Sequence, residues 1–317
     1  MEPIGIRPTN DFAFKKTLGT QENKVALMSL INAILNLPEP IVDLTIQNPF
    51  LLQNFKDDKL SVLDIRAVDQ RGMIFAVEMQ LSVIPQLLQR LAFYASDLYQ
   101  GQLQAGKDYE KLRPVYTICL LNGRIWSDSR QVHEVLQFTR RGNGAPVPNL
   151  IEIHTLQLGL YNLSESELPT ASVKDRWLFW LLNAGDYDRE TLWRMFPDHA
   201  FRMATDTISR IAAQTEDKLM YDSREMALAD QRAIMKSMLM QGLEEGRTQG
   251  LEEGRARGRE LGREEGREEG LEEGELYGTI RTLQLVLHQP VSTHEQLQAQ
   301  PREQLEALAA SLKAQIR

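Results

Sequence analysis

The sequence predicts an α/β core with a mixed sheet, followed by an all-α C-terminal extension. Helical and strand-like patterns alternate up to about residue 160, which is typical of an α/β domain. Residues 115–121 (VYTICLL) show no polar alternation, so we expect a strand that is buried on both faces of the sheet. Strand patterns vanish after residue 160, and no proline occurs between Asp198 and Gln289, as a long helical region requires.

The N-terminal region predicts two short helices. Thr9, Asn10 and Asp11 are residue types that cap helices, and apolar residues follow at helical spacing. We expect a turn at Gly19 and the end of the second helix before Pro38. The elements predicted next are a strand at 41–46, a hairpin with strands at 60–67 and 73–81, a helix from Pro85 to about Gln104, and strands at 115–121 and 150–157.

The hairpin within residues 59–82 contains the polar side chains of greatest interest. Between its two strands lie residues 69–72 (DQRG), whose glycine permits the positive φ of a short loop. Side chains alternate across a strand, so Glu78 and Gln80 share one face. Hairpin pairing then brings Asp64, on the first strand, opposite them.

Carboxylates within apolar strands are costly to bury unless something compensates their charge. Asp64 and Glu78 would together form an all-oxygen site suited to Mg²⁺ or Mn²⁺, with the backbone carbonyl of Met79 as a third oxygen. Mg²⁺ retains several waters, one of which can be activated to attack a phosphodiester. Gln80 can orient that water or a phosphate oxygen, but an amide supplies neither the positive charge nor the proton transfer of a lysine.

Composition and charge narrow the class of protein. The net charge is −8, of which twelve Glu and six Arg in residues 242–278 contribute −6, leaving −2 for the rest. A local basic surface for DNA is therefore compatible with the acidic total. Cys119 lies in an apolar run, and we expect it to be buried and outside any intramolecular disulfide. Neither a signal peptide nor a stretch of the ~20 apolar residues needed to span a membrane is present, so we expect a cytoplasmic protein.

The C-terminal part contains an unusual repeat. Residues 172–196 carry a Trp-containing helical pattern, and ten glycines then recur at every fourth residue from Gly242 to Gly278. Each glycine costs a helix about 1 kcal/mol relative to alanine. The stretch is therefore disordered, a solvated and frayed helix, or a helix whose glycines admit another helix. Residues 292–315 predict a small helical hairpin, capped by Ser292 or Thr293.

Charges within the repeat favour self-association. A period of four places like charges one turn apart, as at Arg255, Arg259, Arg263 and Arg267, and such rows repel within one helix. Each row of Arg or Glu could instead pair with a row of opposite charge on a partner helix. We therefore expect a homodimer through the C-terminal helices. The predicted domains are a core at 1–160, a helical extension at 161–241, the repeat at 242–278 and the hairpin at 279–317.

These motifs resemble a known family. Asp64, thirteen residues, and then Glu78-Met79-Gln80 in a hairpin followed by a helix are similar to the PD-(D/E)XK nuclease fold. More narrowly, residues 8–16 (PTNDFAFKK), 63–67 (LDIRA) and 77–80 (VEMQ) resemble the recombination-promoting nuclease / putative transposase family of bacteria, whose members also carry an acidic, glycine-spaced tail. The resemblance covers about residues 8–160.

The resemblance implies a restriction-endonuclease-like core and a metal-dependent DNA endonuclease linked to recombination or mobile elements. By position, Asp64 and Glu78 are the ligands of Mg²⁺ or Mn²⁺, and Gln80 stands at the usual lysine. Leu63 precedes Asp64, so the Pro-Asp pair of the motif is missing. Asp11 occupies a first-helix acidic position that approaches the metal in related nucleases; alternatively, it caps the helix.

Arg66 and Gln86 flank the predicted site and are candidates for contacts with DNA phosphates. Arg66 equally suits a surface ion pair, and Asp64 has a structural alternative as an aspartate paired with Arg66 or Lys59. Trp177 and Trp180 are expected in the core. Structural or surface roles are expected for the histidines, which show no metal-ligand spacing: His133, His154, His199, His288 and His294.

A second function class also fits the sequence. The missing lysine and the net negative charge suit a catalytically weak or inactive nuclease-fold protein that assembles through its C-terminal helices. Metal titration separates the two hypotheses, because an interaction protein has no need to bind Mg²⁺ or Mn²⁺ at Asp64 and Glu78.

Overall fold

A computed structural model describes residues 2–47, 64–81, 85–103 and 108–316. The chain divides into two compact units, Met1–Asp230 and Gln231–Arg317, each of which is described by itself. Within the described ranges, no helix is both long enough and apolar enough to cross a membrane.

Helices and strands alternate in the first unit, and the second contains helices alone among its described residues. The helices are α1 (Asp11–Leu18), α2 (Lys24–Leu35), α3 (Leu87–Gln100), α4 (Val173–Asn183), α5 (Arg189–Met195), α6 (His199–Ala213), α7 (Thr215–Val286), α8 (His294–Gln298) and α9 (Arg302–Ala314). The strands are β1 (Leu44–Ile46), β2 (Ile65–Asp69), β3 (Ile74–Gln80), β4 (Val115–Leu121), β5 (His133–Gln137) and β6 (Ile151–Gln157).

The strands form one mixed sheet in the order β1-β2-β3-β4-β6-β5. The three central strands β3, β4 and β6 are parallel, while β1, β2 and β5 run antiparallel to their neighbours. This sheet and the helical region that follows confirm the predicted fold class. The sequence patterns missed β5, because this edge strand is short and only partly buried, so its side chains lack a clear alternation.

Helices cover both faces of the sheet. The larger core lies on one face, where apolar side chains of α1, α2, α4 and α6 pack against β2, β3 and β4. Helix α3 covers the other face with Leu87, Leu91, Ala95 and Leu98. Every residue of β4 is buried, as its sequence predicts, because the strand has a helical layer on each side.

The hairpin turn forms as predicted. Gly72 has φ of +81° and its backbone N–H donates to the carbonyl of Asp69 at 3.0 Å. The buried Asp69 carboxylate accepts bonds from the backbone N–H groups of Arg71 and Met73, both at 2.9 Å, which stabilises the turn. The N-terminal part of the strand predicted at 60–67 lies outside the described residues, and β2 begins at Ile65.

The helices after the sheet complete the first unit. Trp177 and Trp180 of α4 are fully buried, and the core extends to Tyr221 in α7. The Trp177 indole donates to Ser29 of α2 at 3.1 Å, and that of Trp180 donates to Thr205 of α6 at 3.0 Å. Residues 161–230 thus pack with the sheet, whereas the sequence places a boundary at residue 160, where the strand patterns end.

In the second unit, a small core forms where the end of α7 meets α8 and α9. Its buried residues are Tyr277, Ile280, Leu297, Leu305, Ala309 and Leu312. Thr293 caps α8 through its hydroxyl and the backbone N–H of Gln296, which resolves the choice between Ser292 and Thr293. The whole glycine repeat lies within α7 and is helical.

Candidate active site

Two carboxylates meet at the sheet edge formed by the C-terminal end of β3. Asp64 immediately precedes β2, whose first residue, Ile65, pairs with Val77, so Asp64 comes level with Glu78. Its Oδ2 accepts a hydrogen bond from the backbone N–H of Met79 at 2.7 Å. This bond places the Asp64 carboxylate beside β3, as the predicted pairing of the hairpin strands requires.

Glu78 is the most deeply buried of the predicted site residues, with 1% of its surface exposed. Its Oε2 accepts a hydrogen bond from Nε2 of Gln80 at 3.0 Å and lies 3.6 Å from the guanidinium of Arg90 in α3. Its Oε1 is also buried and has no hydrogen-bond partner among the described residues. One oxygen of a buried carboxylate is thus left for a ligand.

The electrostatics of the pair favour a cation. Burial, together with the nearby Asp64, raises the pKa of Glu78 to about 7. Burial likewise raises the pKa of Asp64, and the ammonium of Lys15 opposes that rise. Two desolvated carboxylates resist carrying charge together, and a positive ion at the pair would relieve both.

The donor set fits a hard divalent ion with a mostly aqueous shell. Among the described residues no three acidic, histidine or cysteine side chains are grouped as a metal cluster. Mg²⁺ does not need such a cluster, since it is commonly held by one or two carboxylates and keeps several waters. The Asp64 and Glu78 carboxylates, with Oε1 of Glu78 unpaired in the protein, meet that requirement.

Helix α1 brings Lys15 to the same site. Its Nζ lies 3.3 Å from Oδ1 of Asp64, and the two side chains are only 11% and 14% exposed. Lys15 also opposes the rise in the pKa of Glu78, so its field reaches both carboxylates. The cations Lys15 and Arg90 therefore approach the acidic pair from helices on opposite faces of the sheet.

Asp11 stands at the first position of α1 rather than at its cap. Asn10 is the N-cap, and its side-chain oxygen accepts from the backbone N–H groups of Phe12 and Ala13. Asp11 lies 3.7 Å from Arg224 of α7, and its charge contributes to the raised pKa of Asp64. The interpretation of Asp11 as the helix cap is thus wrong, since Asn10 takes that place.

The two residues proposed for DNA contact lie on β2 and immediately before α3. Arg66 pairs with Ala76 across the hairpin, so it shares a face of the sheet with Glu78, two residues along β3. Gln86 is the exposed residue that immediately precedes α3. Both remain predictions as DNA contacts.

Sequence patterns missed the roles of Lys15 and Arg90. A signal for Lys15 was available: it lies three residues after Phe12 and three before Leu18, so it shares the buried face of α1 with two core residues. Arg90 offered no comparable signal, because an arginine one turn from Gln86 and Tyr94 is unremarkable on a partly exposed helix.

Other candidate groups have structural surroundings. Cys119 is a buried free thiol, as expected, and it pairs with Glu78 across β3 and β4. His133 and His154, which are distant in sequence, have ring nitrogens 2.9 Å apart on β5 and β6. Within the described part of the chain they do not form a three-ligand metal cluster.

Comparison with known proteins gives one family. The model of the PD-(D/E)XK nuclease family transposase matches residues 8–238, which is more than two thirds of the 317-residue chain. No curated protein and no solved structure matches the chain significantly. The matched range contains the sheet, both carboxylates, Lys15 and the first turns of α7.

Proposed function

We propose that this chain, which belongs to the PD-(D/E)XK nuclease family transposases, is a metal-dependent DNA endonuclease. The observation that carries the proposal is the buried Asp64–Glu78 pair, with one Glu78 oxygen left without a protein partner. The family name further supports a role in recombination or in the movement of mobile elements. The substrate is DNA and the cofactor is Mg²⁺ or Mn²⁺.

Asp64 and Glu78 would hold the metal ion. A bound divalent ion supplies an activated water and neutralises charge that develops on the phosphate. In the reaction the water oxygen would bond to phosphorus and lose one proton, one phosphorus–oxygen ester bond to a sugar would break, and the departing sugar oxygen would take up one proton, so that protons balance. Gln80 donates to Glu78 Oε2 and so orients that carboxylate, leaving Oε1 for the ion.

Basic and polar side chains around the pair would bind the DNA backbone. Arg66 and Gln86 keep the roles that the sequence predicts for them, and Arg90 joins them because its guanidinium is partly exposed beside Glu78. Asp11 joins Asp64, Glu78 and Gln80 as a proposed catalytic residue. Its charge acts on Asp64. Binding through phosphate contacts should weaken as the salt concentration rises.

Asp64→Asn and Glu78→Gln test this proposal. Each change keeps the side-chain shape but removes a negative charge from the metal site, so plasmid cleavage in Mg²⁺ or Mn²⁺ should fall at least about 100-fold. Mn²⁺ affinity, measured by calorimetry, should fall in parallel. Asp97→Asn, which changes an exposed carboxylate on α3, is the matched control and should cleave and bind Mn²⁺ as the wild type does.

Two results would contradict the proposed endonuclease activity. Cleavage by Asp64→Asn at the wild-type rate would show that this carboxylate does not serve the reaction. A wild-type protein that neither cleaves plasmid DNA nor binds Mn²⁺ would favour the second function, an interaction protein built on an inactive nuclease fold. The open space beside the glycines of α7 is the observation that favours this second function, and it also suits a nuclease that works as a homodimer.

A further inference from the structure

The proposed active site lacks a positive charge on its own strand. Gln80 follows Glu78 on the same face of β3, and its amide is engaged with Glu78 at 3.0 Å. A neutral amide cannot balance the charge of a phosphate that approaches two carboxylates. A site that binds DNA phosphate beside Asp64 and Glu78 therefore needs a cation from another element.

Helix α1 supplies a cation, Lys15, whose side chain is almost completely buried. Burial of a lysine costs free energy unless its charge is paired. Lys15 belongs to a helix whose neighbouring side chains Phe12, Phe14 and Leu18 are fully buried, yet its ammonium ends 3.3 Å from Asp64 Oδ1. A lysine is seldom buried unless it is paired. Here the pairing carboxylate is itself the candidate metal ligand.

Arg90 is less suited to the same task. Its guanidinium lies 3.6 Å from the Glu78 oxygen that already accepts from Gln80, and it also lies over the Tyr94 ring at 5.7 Å. About a third of its side chain is exposed, whereas that of Lys15 is almost enclosed. Charge in a desolvated position acts more strongly on a nearby phosphate than charge in contact with water.

We propose that Lys15 is a catalytic residue that binds the scissile phosphate and supplies, from α1, the positive charge that Gln80 cannot supply from β3. This inference rests on the proposed function. Helix α1 thus brings to Asp64 a cation that β3 lacks, and the active site is complete only when α1 is packed on the sheet.

Salt dependence of DNA binding provides a test that does not require cleavage. In the Asp64→Asn background, Lys15→Met removes the cation without leaving a buried carboxylate uncompensated, so the fold should be preserved. The slope of log affinity against log salt for a short duplex, measured by fluorescence anisotropy in EDTA, should become shallower by about 0.9 if Lys15 binds a phosphate. Lys24→Met, an exposed lysine paired with Asp43 on the protein surface, is the matched control and should leave the slope unchanged.

Cleavage in Mg²⁺ provides the second measurement. Lys15→Met alone should lose about 100- to 1,000-fold in rate, as when one group that stabilises transition-state charge is removed. Lys15→Met combined with Gln80→Lys should recover at least tenfold, because the cation returns to the strand. Mn²⁺ affinity of Lys15→Met should not fall, since both carboxylates are retained.

Three outcomes would overturn the inference. An unchanged salt slope would make Lys15 only the counter-ion of Asp64. Cleavage by Lys15→Met at the wild-type rate, with Asp64→Asn inactive, would remove Lys15 from the reaction while leaving the proposed function intact. Failure of Gln80→Lys to recover any activity in a folded double variant would show that a charge at this site is not what Lys15 supplies. An inactive wild-type protein would instead count against the proposed function, and the salt slope would still decide whether Lys15 binds phosphate.

Discussion

Among single residues, Glu78 best illustrates how burial creates a binding site. A buried acceptor without a partner costs about 1–3 kcal/mol, and Oε1 of Glu78 is such an acceptor among the described residues. Burial and the nearby Asp64 raise the pKa of this carboxyl to about 7, so its ionised form is disfavoured relative to that of a carboxyl in water. A bound divalent ion would offset both penalties, so the burial of these two carboxylates favours metal binding.

The pair of the partly buried His133 and the buried His154 gives a pH dependence that is independent of the metal site. Burial, His154 and Lys174 lower the pKa of His133 to about 4, below the value near 6.5 of an unfolded histidine. Between these values the unfolded chain binds a proton that the native state does not bind, so stability is lost as the pH falls from about 6.5 towards 4.

His133→Asn checks this expectation. Urea unfolding of the wild type at a series of pH values between 7.5 and 4 should show a falling free energy of unfolding. The same series for His133→Asn should fall less steeply, because the group responsible has been removed. Equal pH dependence in the two proteins would contradict the assignment.

Among the elements, α1 and the residues that precede it contact the first turns of α7 through polar groups. The Lys16 ammonium contacts the buried Asp217 carboxylate, the Asn10 amide donates to Glu225 at 2.8 Å, and the Arg7 backbone N–H donates to the Tyr221 hydroxyl at 3.0 Å. Residues 215–225 of α7 therefore hold the helix that carries Lys15 to Asp64. The Lys16 and Asn10 contacts lie within the range of the family match, which extends past the sheet into α7.

Asp217→Asn tests the attachment of α1. Removing one partner of a buried pair destabilises a protein by about 3–5 kcal/mol, and we expect about 1–3 kcal/mol here because the Lys16 side chain is partly exposed and can turn to water. Urea denaturation measures the loss. Asp222→Asn, which removes an exposed carboxylate paired with Lys218 on the same helix, is the control and should cost less than about 0.5 kcal/mol. Equal losses in the two variants would show that the Lys16–Asp217 pair has no special role.

At the scale of the whole molecule, the described residues of a single chain offer no contact that explains the glycine repeat. A Cβ added at any of the ten glycines from Gly242 to Gly278 would meet no atom of the described chain within 4 Å. Ten glycines cost a helix on the order of 10 kcal/mol, and nothing inside the second unit requires them. Close approach of a second copy of the helix would give them a reason, in agreement with the expected homodimer.

Gly254→Ala, Gly262→Ala and Gly270→Ala, introduced together, separate the two roles of the repeat. Each change should favour the isolated helix by about 1 kcal/mol, so helical signal and thermal stability should rise. If the glycines admit a partner, the same variant should sediment more as monomer than the wild type. Thr248→Ala, a helix-favouring change outside the glycine positions, is the control and should leave association unchanged. A triple variant that associates as strongly as the wild type would reject the partner-helix interpretation.

Local periodicity was sufficient to predict much of this protein. Three predictions depend only on neighbours close in sequence: the turn at residues 69–72, the doubly buried strand β4, and the placement of Asp64 opposite Glu78 in a hairpin. Each of these could be predicted because alternation, turn chemistry and helix propensity act over a few residues. The mixed α/β class followed from the order of such segments.

Only the tertiary structure decided which charges reach the carboxylate pair. Lys15 and Asp64 are separated by 49 residues, and nothing in either segment specifies that α1 packs with its lysine at that sheet edge. Elements that are distant in sequence bury their apolar faces together, and this packing decides three further features. They are the Arg90–Glu78 contact, the His133–His154 pair and the packing of residues 161–230 with the sheet. The sequence by itself therefore determined the two acidic residues of the candidate site, and the packing of α1 and α3 on opposite faces of the sheet determined their cationic partners.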